Sequence, residues 1–495
     1  MTDVEMQSYL LKEGTSVQSI DYDNATVMGV RPYGRVIALA MTLNCMIGTG
    51  CFGLPFAFAS AGISLTSLLL LLGTVGSLVT MNYTLEAMAR AEGLSSTHHP
   101  AHHRLTYRRH NFSCIGHLFA GQTGYTIVQI PLVLYSFGCL WSFASIFASS
   151  CASMFYTYVV VGDTCNAYAF DATSGCTAAY LASMFVFSIL VVGLVLMEMG
   201  DQARIQKFLT IYRIVALSLM VGTMSFKLYV DGWDAIQARL LARDVRTTSS
   251  FAHFSLAFGS TILALNCHHN MPDIMQPLSS KQHARQVVFA AMVIGCVFYF
   301  LVGILEALAF DHVNPLASLM WSDFTGCGNG WHPCSSSSVP GKPPTSTWLG
   351  SAVHIIVIMF PVVNILSSYP MCGLTLASNL LSALPKSVTA PLGPSSAVQV
   401  ARMLAVLPTL VLAAVFKNLD DIFTVTGLFG FVIGLVVPCW FQVVGISACR
   451  RFTHDQPSHT PYTIPCLSSV ATATVVLSVM LLATAVATVS ILVQR

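Results

Sequence analysis

The sequence predicts an all-α protein that crosses a membrane many times. Three observations carry this. Of 495 residues, 55% are hydrophobic and only 9% are charged, against about 25% charged in soluble domains. Long stretches hold no Asp, Glu, Lys or Arg: 36–85, 111–162, 172–197, 247–272, 286–305, 343–385, 422–449 and 456–494. These stretches lack strict apolar/polar alternation, which argues against an outer-membrane barrel. A helix of about 20 apolar residues crosses a hydrocarbon core of roughly 30 Å, so several stretches hold two spans. So few charges exclude a soluble enzyme, a nucleic-acid binder and a disordered chain.

Taken in order, residues 1–34 form a polar cytosolic tail with Asp3, Glu5, Glu13, Asp21 and Asp23. No apolar core with a small-residue cleavage site is visible there, so helix 1 is expected to act as its own insertion signal. A transmembrane domain is expected over 35–490. Its eleven helices are placed at about 35–61, 64–89, 124–158, 179–199, 208–229, 251–270, 286–310, 348–369, 400–416, 421–444 and 466–490. Gly62-Ile63-Ser64 makes a tight hairpin between helices 1 and 2. Helix 3 is long for one span and is expected to tilt or to extend past the membrane. Residues 491–495 are left as a short non-cytosolic C-terminus.

Orientation follows from Lys and Arg. With the N-terminus in the cytosol, sixteen of the 23 lie on the cytosolic side, among them Arg31, Arg35, Arg90, Lys281, Arg450 and Arg451. Cys165, Cys176, Cys327 and Cys334 then fall in non-cytosolic loops, where disulfides form. The short local spacings predict Cys165–Cys176 and Cys327–Cys334, with four free thiols as the alternative. The 90–123 loop holds His98, His99, His102, His103 and His110 beside Arg104, Arg108 and Arg109. A His-rich tract can bind metal, but no Cys or carboxylate completes a four-ligand set nearby. A solvated basic loop beside anionic lipid is the alternative.

Helix 1 carries the most informative segment. Gly48, Gly50 and Gly53 are flexible, Pro55 donates no backbone hydrogen bond, and Asn44 stands beside them. Together they predict unwinding in mid-membrane. Freed backbone groups must then face protein or a wet cavity, where N–H groups bind a carboxylate and carbonyls bind cations. Close packing through small residues is the competing explanation. Helix 6 offers a second interruption, with Gly259-Ser260-Thr261 near mid-span and a polar cluster, Asn266 to Asn270, at its end. Interrupted helices at matching positions of two halves point to an inverted-repeat transporter.

The pattern Asn44-x-x-x-Gly48-Thr49-Gly50-x-x-x-Leu54-Pro55-x-Ala57, closing on Gly62, resembles the signature of the amino acid/auxin permease family. His268 to Ile274, Phe360-Pro361 through Tyr369-Pro370, and Val425-Thr426-Gly427 with Pro438 extend the likeness over most of the membrane region. Ser279-Ser280-Lys281 and Glu86-Ala87-Met88 resemble the transmembrane protein 104 branch. The resemblance implies a LeuT-like fold of five plus five inverted helices and an eleventh. The repeats would run about 35–229 and 251–444, with helices 1 and 6 broken and helix 11 at about 466–490. It implies secondary transport of small amino acids, coupled to Na⁺ or H⁺, with no other cofactor.

By the same resemblance, N–H groups of Gly48, Thr49 and Gly50 would hold a substrate carboxylate. Carbonyls around Phe258, Gly259 and Ser260 would hold its ammonium, and Phe52, Phe258 and Thr261 would line the side-chain pocket. Phe258 is equally explained by packing. Asn44 with Asn364, Ser367 and Ser368 is the candidate Na⁺ site; interhelical hydrogen bonding is the alternative, worth about 0.6 kcal/mol on average. Glu86 and Glu306 are the proton-coupling candidates, because an intramembrane carboxylate is costly. Glu86 is alternatively a partner of Arg90 at i, i+4. Arg213 is expected to snorkel to the cytosolic face.

No catalytic residues are expected: the sequence has no His-Glu-x-x-His motif and no paired intramembrane Asp. An amino-acid sensor of the same fold is the main competing reading, its tail giving room for a cytosolic partner. Leu10-Leu11 after Glu5 sits one residue off an acidic dileucine spacing. The plasma membrane and an endolysosomal membrane both stay open.

Overall fold

The computed structural model describes residues 24–25, 30–47, 50–95, 103–108, 110–160, 165–168, 172–196, 202–242, 253–322, 324, 326, 331, 347–384, 387, 391, 393–452 and 459–494. The tail before residue 24, the Gly48–Thr49 pair, His98, His99, His102 and the expected Cys327–Cys334 bridge lie outside the described residues. Within them the chain is helical. The one extended pairing among the described residues is an isolated bridge, Tyr33 to Leu278.

The helices are α1 (Arg35–Met46), α2 (Gly50–Ala61), α3 (Ile63–Ser95), α4 (Phe112–Phe155), α5 (Ser174–Leu196), α6 (Gln202–Ala242), α7 (Phe254–Leu265) and α8 (Met271–Met275). They continue as α9 (Ala284–Ala309), α10 (Trp348–Ala383), α11 (Pro394–Val415), α12 (Leu419–Phe431), α13 (Val437–Phe452) and α14 (Val470–Gln494). A π-helical turn, Val432–Val436, joins α12 to α13. Nine helical runs among the described residues are long and apolar enough to cross a membrane, and the bent pair α1–α2 makes a tenth. The interrupted run from α7 to α8 falls where helix 6 is expected.

Several elements outrun their expected ends. α3 continues to Ser95, because Glu86 and Arg90 pair inside the protein instead of marking a solvated end. α10 runs through Pro361 and Pro370 to Ala383, over residues expected to form a loop. α4 begins at Phe112 and turns sharply at Gly121, whose φ of 61° suits a residue without a Cβ. Gly62, with φ of 98°, makes the expected hairpin between α2 and α3. Cys165 and Cys176 form the expected disulfide, with Cα atoms 5.4 Å apart.

α7 packs against α2, α3 and α12, while α9 packs on α1, α2, α3 and α6. α4, α5, α10 and α11 pack on one another beside them. α14 stays at the periphery and exposes Val475, Val479, Leu482 and Val486. An apolar face without protein cover is suited to lipid.

The loop after α3 folds back on that helix. His110 Nε2 lies 2.9 Å from the Glu92 carboxylate, and the His103 ring sits against Gly93. The loop also reaches the α8 end: the Gln276 amide donates to the Tyr107 carbonyl, and Lys281 Nζ lies 4.1 Å from the Tyr107 ring centre. Burial, then the nearby Arg90 charge, push the His103 pKa down. A depressed base takes up its proton more readily when released, so this docking is stable above the unfolded value of about 6.5 and weakens as pH falls through it. Hydrogen exchange across 103–110 is expected to accelerate below that pH, and His103→Leu to remove this part of the pH dependence. Unchanged exchange between pH 7.5 and 5.5 would count against it.

Candidate functional site

Two broken helices meet at the centre of the bundle. α1 ends at Met46, with Ile47 N–H returning to the Leu43 carbonyl. α2 restarts at Gly50, bent 52° away. Pro55 falls in the second turn of α2, where it removes a backbone donor close to the break. Phe52 is buried, its ring centre 5.2 Å from that of Phe360 on α10. The second break follows Leu265. Asn266 is extended at φ −87°, ψ 110°, and Cys267 lies at φ −139° before the chain resumes a turn at His268.

Side chains from distant elements hold this second break open. Asn266 Nδ2 donates to the Gly430 carbonyl at 3.1 Å, just before the π turn. His268 Nε2 lies 2.9 Å from Thr80 Oγ1 on α3, and its Nδ1 lies 3.3 Å from Asn266 Oδ1. The His269 ring meets Tyr135 of α4 edge-on at 5.2 Å. These side-chain contacts fix the break against α12, α3 and α4.

The breaks are in contact. A Cβ at Gly50 would overlap the backbone of Ala264 and Leu263, so the first residue of α2 lies against the last turn of α7. The Tyr299 hydroxyl, from α9, lies 2.8 Å from the Met46 carbonyl and 2.8 Å from the Ala264 carbonyl. Both carbonyls sit at helix C-termini, where the partial charge is negative, while Gly50 sits at a positive N-terminus. Opposite ends of broken helices thus face one small region, suited to a ligand carrying both charges.

The predicted residues divide. Gly50 is at the break, and Gly48 and Thr49 lie outside the described residues. The expected unwinding around Phe258, Gly259 and Ser260 is corrected: all three, with Thr261, lie within regular α7, and the break comes at Asn266–Cys267. The reason is packing. A Cβ at Gly427 would overlap Gly259, so this glycine serves close contact between α7 and α12. Phe258 stacks on Phe254 and meets Phe431 at a tilt, in an apolar cluster that includes Leu435 and Ala487. Ser260 and Thr261 are buried, their hydroxyls without a hydrogen bond among the described residues. Ser260 is one turn before Ala264, on the same face of α7.

The residues of the expected ion site lie on α1 and α10. Asn44 lies in the last turn of α1. Arg213 does not snorkel outward: it is 3% exposed, and its Nη1 lies 3.4 Å from the Asn44 carbonyl. A guanidinium there repels a second cation. Asn364 is buried and Ser368 half-buried on α10; the Ser367 side chain is outside the described residues.

The two acids have opposite settings. Glu86 is fully buried and accepts from four donors: Arg90 Nη2 at 2.6 Å, Asn82 Nδ2 at 2.9 Å, Gln442 Nε2 at 3.0 Å, and the Ser468 hydroxyl. Four donors including a guanidinium hold this carboxyl group in place, where it braces α3, α13 and the approach to α14. The pairing with Arg90 is the alternative that the i, i+4 spacing offered for this acid. Glu306, near the C-terminal end of α9, is equally buried, but neither carboxyl oxygen has a hydrogen bond among the described residues. Sequence reasoning missed Tyr299, whose only signal is a polar side chain in an apolar span. It also missed the inward turn of Arg213. Among the described residues no group of three or more His, Cys, Asp or Glu could hold a metal.

The chain is similar to known membrane proteins over most of its length. Residues 33–311 match the family described as "Transmembrane amino acid transporter protein". The chain is 24% identical over 366 residues to a transmembrane protein 104 homolog of Caenorhabditis elegans, covering 70% of this chain and 68% of that protein. It is 22% identical over 398 residues to human transmembrane protein 104, covering 70% and 74%. A solved structure, MhsT in complex with L-phenylalanine, superposes with a TM-score of 0.60 over 92% of this chain and 99% of that one. At 12% identity, this likeness shows the shared LeuT-like fold.

Proposed function

We propose, from the premise that the chain belongs to the transmembrane amino acid transporter family, that it carries amino acids across a membrane by alternating access about the paired breaks. The observation that carries the reading is the contact of Gly50 with the end of α7, beside the converging Met46 and Ala264 carbonyls. Substrate carboxylate goes to the N–H groups at the start of α2, with Gly48, Thr49 and Gly50. Substrate ammonium goes to the carbonyl ends of α1 and α7, one to two turns past Gly259.

The coupling ion in this reading is H⁺ and not Na⁺. The Arg213 guanidinium beside the Asn44 carbonyl supports that choice, as it already supplies positive charge at the end of α1. Glu306 is the proposed proton carrier. Its burial without a donor among the described residues makes an unneutralised charge there cost several kcal/mol, so gain and loss of a proton would change what the site tolerates. The N-terminus is placed in the cytosol of a plasma or endolysosomal membrane, and the C-terminus on the opposite side.

Uptake of a labelled amino-acid mixture into proteoliposomes tests this. A pH gradient is expected to drive accumulation, a Na⁺ gradient to have no effect, and Glu306→Gln to abolish the response to pH. Accumulation driven by Na⁺ would overturn the choice of ion. Amino-acid-dependent thermal stabilisation without any flux would favour a sensor.

A further inference from the structure

The Tyr299 hydroxyl has one hydrogen and two carbonyl acceptors, each 2.8 Å away. The two acceptors belong to separate half-helices, α1 and α7, and Tyr299 is carried by a third element, α9. The tyrosine is 1% exposed. No described backbone N–H outside the helices donates to the Met46 or Ala264 carbonyl. Both are terminal carbonyls with spare lone pairs, at negative helix ends. A lone hydroxyl therefore stands, with one shared hydrogen, where a primary ammonium would give each carbonyl its own N–H. Its single hydrogen is shared between the two ends and holds them together, where a buried carbonyl with no donor at all would cost free energy.

We propose that the Tyr299 hydroxyl is the resident stand-in for a substrate ammonium. It joins the carbonyl ends of the two broken helices, so that the carrier can rearrange without cargo. When an amino acid enters, its ammonium takes over the Met46 and Ala264 carbonyls. The hydroxyl then keeps one of them or turns to accept from the ammonium. No covalent bond changes. Tyr299 is a positioning residue for the return of the unloaded carrier, and the inference rests on the transport reading above.

Net uptake and exchange separate the possibilities. Net uptake into vesicles without internal amino acid needs the carrier to return unloaded. Exchange against a preloaded amino-acid mixture does not. For Tyr299→Phe, net uptake is expected to fall about 10- to 100-fold, the loss equivalent to one hydrogen bond between strongly polar partners. Exchange should stay within about 3-fold of wild type, since ammonium supplies the missing donor in both directions. Thermal stabilisation by the amino-acid mixture should be larger in Tyr299→Phe than in wild type. If the variant is recovered folded only with the mixture present, that is the same result in stronger form.

Equal loss of uptake and exchange would make Tyr299 a fold brace and overturn the proposal, as would unchanged net uptake. A variant that stays unfolded even with the mixture overturns it too. Wild-type protein showing neither uptake nor exchange would instead strike at the transport reading itself.

Discussion

A single methyl group at residue 50 is expected to reduce transport by about 100-fold or more, the scale of loss that follows when reacting or binding groups are displaced by about 1 Å. The Cβ of Gly50→Ala would overlap the backbone of Ala264 and Leu263, and backbone has no rotamer by which to escape. Overpacking of this kind costs about 1–3 kcal/mol. A stable transporter can survive that, so the variant should fold. What it loses is the contact that aligns the N-terminus of α2 with the carbonyl end of α7. Gly193→Ala is the control, since nothing lies within 4 Å of its Cβ position on α5. Uptake by equal amounts of folded, reconstituted protein decides the matter. Wild-type uptake by Gly50→Ala would mean that the breaks need not touch for transport.

Loss of Glu86 is expected to be the most damaging change to stability. Its carboxylate balances Arg90, which also donates to Gln442 Oε1 at 2.7 Å and is 1% exposed. Removing one member of a buried pair leaves an uncompensated charge and costs about 3–5 kcal/mol. Glu86→Ala should therefore show a large drop in melting temperature in detergent and poor recovery. The same change removes the acceptor of the Ser468 hydroxyl, which ties α3 to the segment before α14, and leaves Asn82 its bond to the Tyr462 carbonyl. Glu86→Gln keeps the shape but loses the charge, and an intermediate loss is expected. Wild-type stability in Glu86→Gln, with only its pH response gone, would return Glu86 to the proton-coupling step.

Much of this architecture is legible in the sequence because it depends on solvent alone. Charge-free runs of span length have to be helices in a bilayer, and they are. The break in helix 1 is legible because Gly48, Gly50, Gly53 and Pro55 weaken helix locally, whatever surrounds them. The Gly62 hairpin and the Cys165–Cys176 disulfide are legible for the same reason: each is set by residues close in the chain.

The break in helix 6 was not legible at its true place, because distant residues decide it. Gly259 has the composition of a break but faces Gly427, and becomes a packing contact. Asn266 has the composition of an ordinary helix end, but the Gly430 carbonyl and the His268–Thr80 contact make it the opening. Arg213 has the length to snorkel, yet the Asn44 carbonyl at the end of α1 offers it a buried acceptor. Glu86 and Glu306 are both carboxylates near expected helix ends. Gln442 and Ser468 brace the first, while no described donor reaches the second. The sequence by itself determined the membrane spans and the weak point of helix 1, since local backbone propensity and the cost of exposing polar groups to lipid need no partner. Tertiary structure alone decided where helix 6 opens and which buried charges are balanced, because a buried polar group takes its state from whichever donor or acceptor the fold brings within reach.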